Sequence, residues 1–112
     1  MELEDNQISP LYAPELQALC KKVLTAARKV MKEEPYTGGC RTFYSPAEWK
    51  ERGEEYGLES ELILCHDGGD FASLLNSSYG CYDQMERFSK AMEKYGYYVE
   101  QCTSWYSAVY KI

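Results

Sequence analysis

The run Cys65-His66-Asp67-Gly68-Gly69-Asp70 gathers several chemically competent side chains into six consecutive positions. The chain holds one histidine, so any imidazole chemistry must pass through His66. His66, Asp67 and Asp70 are candidate ligands for a divalent metal, and His66 is equally a candidate base. The paired glycines would let backbone approach a ligand closely. A complete site needs further ligands, and no spacing elsewhere in the chain identifies them. The plainer alternative is a strand-ending turn, with Asp67 bonded to its own backbone. Cys65 and His66 make a poor nucleophile and base, because successive strand side chains point to opposite faces. No catalytic set and no cofactor is expected from this pattern, and the chain reads as a non-enzyme.

Two other groupings point to binding. From Glu48 to Asp70 the chain carries Glu48, Glu51, Glu54, Glu55, Glu59, Glu61, Asp67 and Asp70 against only Lys50 and Arg52. Such a segment could steer a basic partner, or it could be a solvated helix face and loop. Glu51 and Glu55 would share one face only if a helix continued past Gly53. Near the C-terminus stand Tyr97, Tyr98, Trp105, Tyr106 and Tyr110. Aromatic strands can stack bases, but the basic residues that accompany such platforms are missing here. Trp and Tyr are also favoured interface anchors. The expected partner-binding residues are therefore Glu48, Glu51, Glu54, Glu55, Glu59, Trp105, Tyr106 and Tyr110.

The elements that must position these groups follow from periodicity. Leu16, Leu19, Cys20, Val23, Leu24, Ala27, Val30 and Met31 predict a helix that opens near Pro14 and ends before Pro35. Arg41 to Tyr44 could be a short strand. Ser45-Pro46-Ala47-Glu48 predicts a capped helix start, with Ser45 and Glu48 each bonding the other's backbone. That helix should end near Gly53. Glu61 to His66 is the clearest strand, and its consecutive apolar residues place it centrally, covered on both faces. Phe71 to Leu75 could add one helical turn. Cys81, Met85, Phe88, Met92 and Tyr95 predict an amphipathic helix ended by Gly96. Tyr97 to Cys102 and Trp105 to Ile112 predict a hairpin. The expectation is an α+β fold: a small, mostly antiparallel sheet of three or four strands. Two long helices cover one face, and a short helix lies near residues 45–53. Residues 1–9 are expected to fray, leaving 10–112 as one domain.

Composition bounds the rest. A chain of 112 residues, 45% hydrophobic and 27% charged, suits a folded domain. Its net charge of −6 disfavours non-specific nucleic-acid binding. Eleven tyrosines supply rings that combine an apolar body with a polar tip. Five scattered cysteines without C-x-x-C spacing, an acidic start and no apolar run of membrane length predict reduced thiols and a cytoplasmic location.

Phe43-Tyr44-Ser45-Pro46-Ala47-Glu48-Trp49, Arg52-Gly53-Glu54, Tyr56-Gly57, His66-Asp67-Gly68-Gly69-Asp70, Cys102-Thr103 and Trp105-Tyr106 together resemble small uncharacterised proteins of phages and mobile elements. The likeness spans roughly Arg41 to Tyr110. It implies an anti-defence role of the anti-CRISPR kind, in the host cytosol, and carries over no functional residue. The expected activity is direct binding to a host protein with a basic surface. The alternatives are a small enzyme or metal protein centred on His66 to Asp70, and a homo-oligomerisation module.

Overall fold

A computed structural model describes Leu3 and residues 5–112. The chain runs α1 (Pro14–Met31), β1 (Phe43–Tyr44), α2 (Pro46–Glu51), β2 (Leu62–Cys65), α3 (Gly69–Leu75), a 3-10 turn (Ser77–Tyr79), α4 (Tyr82–Lys94), β3 (Tyr97–Gln101) and β4 (Tyr106–Lys111). The four strands form one antiparallel sheet in the order β1-β2-β4-β3. The α+β architecture is as expected, with β2 and β4 central. Among the described residues no helix is long and apolar enough to cross a membrane.

Period-two alternation gives the sheet two cores. Leu62, Leu64 and Val109 face α1, α3 and α4, where they meet Leu19, Val23, Phe71, Phe88 and Met92. Ile63, Tyr106 and Ala108 face the other way and pack with Trp49 of α2. All four residues of β2 are buried because both faces are covered. The segment after α2 closes over this second face. A Cβ on Gly57 would lie 2.8 Å from the Ile63 side chain and 3.1 Å from that of Ala108, and its φ is +78°. A bare glycine lets the segment lie against the sheet.

Local signals account for the helix ends. Pro14 opens α1, and Lys32 closes it in the left-handed region, donating its N–H to Arg28 O. In α2, Glu48 N donates to Ser45 Oγ at 3.1 Å and Ser45 N to Glu48 Oε1 at 2.8 Å, completing the capping box. The helix stops at Glu51, and Gly53 at φ +87° turns the chain away. Glu51 and Glu55 therefore share no helix face.

The N-terminal residues differ from the frayed tail expected for 1–9. Thr42 N donates to Asp5 O at 2.9 Å, Thr42 Oγ1 to Asn6 Oδ1 at 2.9 Å, and Asn6 Nδ2 to Pro35 O at 3.0 Å. Ile8 packs on the helix-side core and Ser9 is buried. Partners from residues 35–42 hold this stretch, and no local periodicity announces them. Met1, Glu2 and Glu4 lie outside the described residues.

Candidate functional site

The His66–Asp70 segment is a structural joint. His66 is 1% exposed, on the helix side of the sheet, with Nε2 2.8 Å from Ser107 Oγ. Its Nδ1 is buried without a partner. Asp70 N donates to Tyr36 O at 2.6 Å, and Tyr36 N donates back to Asp70 Oδ2 at 2.7 Å. Gly69, at φ +72°, presses against this loop, since a Cβ there would lie 2.3 Å from Tyr36 O. Asp67 is exposed. Among the described residues no three His, Cys, Asp or Glu side chains converge to hold a metal. Gly69 thus admits the loop at Tyr36 to Gly38, at a place where close backbone approach to a ligand was the expectation. Burial pushes the Cys65 thiol up to about 12, and neighbouring Cys40 adds to the effect. Such a thiol is a poor nucleophile. All five cysteines are free.

Burial holds His66 down at about 4, against 6.5 in an open chain. The native state therefore binds fewer protons than the unfolded one between those values. Stability contributed by neutral His66 is complete above pH 6.5 and drains away as pH falls through 4. The loss is at most about 3 kcal/mol. The Glu48 carboxyl adds its own loss only below 4.5. Burial opposes its ionisation, but the Ser45 N–H, the Tyr12 hydroxyl and Arg41 outweigh it. Urea midpoints should thus fall between pH 6.5 and 4.5, and His66→Gln should flatten that slope. An equal slope in the variant would show that His66 does not set it.

The expected partner-binding residues separate into two groups. Glu48 is occupied internally: it takes hydrogen bonds from Tyr12, Ser45 and Arg41, the last at 2.8 Å. Glu54 is partly buried, 3.7 Å from Arg52. Tyr106 is 1% exposed, and Trp105 lies half-buried against Trp49 and Tyr106. Trp105 and Tyr106 serve the second core, and Glu48 and Glu54 are engaged by neighbouring residues, so Tyr106 is no surface anchor. Glu51, Glu55 and Glu59 are exposed, and Tyr110 is half-exposed.

The sheet assembles a grouping that the sequence scatters. Tyr98 stands opposite Tyr110 in the β3–β4 register, and their rings stack at 5.2 Å and 18°. Glu100 lies on the same face as Tyr98, two residues on. Burial raises the Tyr110 hydroxyl above its ordinary pKa; Cys102, Glu100, Tyr98 and Glu59 then add to it through their charges. Glu100 therefore stands beside the stacked tyrosine pair, and the Glu59 charge also bears on Tyr110. Of these four, Glu59 and Tyr110 are among the partner-binding residues expected from the sequence. Tyr98 belongs to the C-terminal aromatic group, and Glu100, outside the acidic segment, is in neither expectation. Period-two alternation within the hairpin was the available signal for both.

The chain matches no known family model, curated protein or solved structure. The chemistry of this patch must be read from its own geometry. A ring face flanked by carboxylates suits a Lys or Arg side chain, which gains cation–π and ionic attraction together.

Proposed function

We propose that the protein is a small acidic binding factor that takes a basic segment of another protein on the Glu59, Tyr98, Glu100 and Tyr110 patch. The observation that carries this reading is the register that sets Glu100 beside the stacked Tyr98–Tyr110 pair, and the Glu59 charge also acts on Tyr110. The exposed Glu51 and Glu55, with a net charge of −6, add a long-range field of the same sign. The resemblance to phage and mobile-element proteins makes a host defence protein the expected class of partner. Inhibition would then follow from occupying its basic surface.

The test is capture of a partner from host lysate at two salt concentrations, followed by binding kinetics with Glu59→Lys/Glu100→Lys. Association at low salt should slow roughly tenfold or more, because exposed charges steer encounter. The urea midpoint should barely move, as both residues are exposed. An unchanged association rate, or the lack of any salt-sensitive partner, would sink the reading.

A further inference from the structure

β3 is an outer strand whose free edge is chemically complete. Ile112 N donates to Gly96 O at 2.9 Å, and Cys102 N donates to Tyr106 O at 3.1 Å. Tyr98↔Tyr110 and Glu100↔Ala108 continue the same register between those ends. In an antiparallel ladder the bonded pairs alternate. The even-numbered residues therefore bond inward to β4, and the N–H and C=O groups of Tyr97, Val99 and Gln101 point outward. No other strand pairs with this side among the described residues. The strand has no proline, lysine or break in register to blunt its edge.

A largely apolar cleft of about 250 Å³, with Glu86, Ser89 and Gln101 also in its lining, borders the same edge on the helix side. Leu74 and Leu75 of α3, Met85 and Phe88 of α4, and Val99 of β3 supply its apolar lining. Tyr98 and Glu100 lie on the opposite face of β3. A strand added beside β3 would send alternate side chains to these two environments, one apolar and one acidic with tyrosine rings.

We infer that the outer edge of β3 receives an extended partner segment as a fifth strand, its apolar residues entering the cleft and alternating with Lys or Arg over the tyrosine–carboxylate patch. The inference rests on the basic-partner reading above and gives that partner a conformation and a sequence pattern. A second copy of this chain fits less well. Pairing β3 with itself about Val99 would bring two Glu100 side chains to diagonal positions, between chains each carrying −6.

The probe is a short peptide alternating Arg with Leu or Val, compared with a scrambled peptide of the same composition by fluorescence anisotropy. Two further versions carry backbone N-methyl groups on one or the other alternate set of residues. The alternating peptide should bind at least tenfold more tightly than the scrambled one. One N-methylated version should lose binding and the other keep it. Amide exchange at Tyr97, Val99 and Gln101 should slow in the complex. Val99→Pro removes only an outward N–H, a position where edge strands tolerate proline. It should abolish the preference for the alternating peptide, and the N-methyl pair reads the same contact in the unaltered protein should this variant unfold. Equal binding of alternating and scrambled peptides, or of both methylated ones, overturns strand addition. If Glu59→Gln/Glu100→Gln still weakens both peptides, the acidic patch stands without it. Absence of all peptide binding also overturns strand addition, and the lysate partner then judges the patch separately. Protection of the three amides that rises with protein concentration alone overturns it in favour of a second copy.

Discussion

Replacing Trp49 with alanine is expected to cost about 3–5 kcal/mol of stability, the usual range for deleting a fully buried aromatic. Trp49 is 0% exposed although it sits on a helix of only six residues. Its ring lies 4.8 Å from Tyr44, 4.9 Å from Tyr106 and 5.5 Å from Trp105, with the Arg52 guanidinium 4.8 Å above it. Among the described residues, the hydrophobic core on this face is small, built on buried Trp49, Ile63, Tyr106 and Ala108. The variant should unfold at much lower urea. Its cover over 52–60 should also lose amide protection first, since Trp49 is what α2 inserts beneath it. A midpoint within about 1 kcal/mol of the parent would mean that the second face carries little of the stability.

Leu64→Ala should cost about 2–5 kcal/mol, against a small change for Leu3→Ala. Leu64 is 0% exposed in the central strand, between Phe43 of β1 and Ser107 of β4, under the helix layer. Leu3 is partly exposed near the chain start. The spread in the first figure reflects how far α1, α3 and α4 can settle into the space. Equal shifts in urea midpoint would place the core elsewhere.

The local elements were legible because their causes are local. The Ser45 and Glu48 capping box, the Pro14 start of α1 and the apolar stripe Met85, Phe88, Met92 each act within one or two turns of chain. So did the two-sided burial of β2, since a run of four apolar residues leaves no face for water. The functional assignments were less legible because they depend on what lies opposite each side chain. Glu48 reads as a steering charge until Tyr12 and Arg41 arrive from distant segments. Tyr106 reads as an interface anchor until Trp49 covers it. Gly69 reads as room for a ligand until the loop at Tyr36 to Gly38 fills that room.

The sequence by itself determined an α+β domain, a central buried strand and a terminal hairpin, because hydrophobic period and turn chemistry are properties of neighbouring residues. It also set an acidic net charge, which is a sum that folding leaves unchanged. Only the tertiary structure decided which acids remain at the surface, that Glu100 stands beside the Tyr98–Tyr110 stack, and that Tyr97, Val99 and Gln101 turn their backbone outward. Those outcomes depend on strand order and register, and a shift of one residue would exchange the two faces of β3.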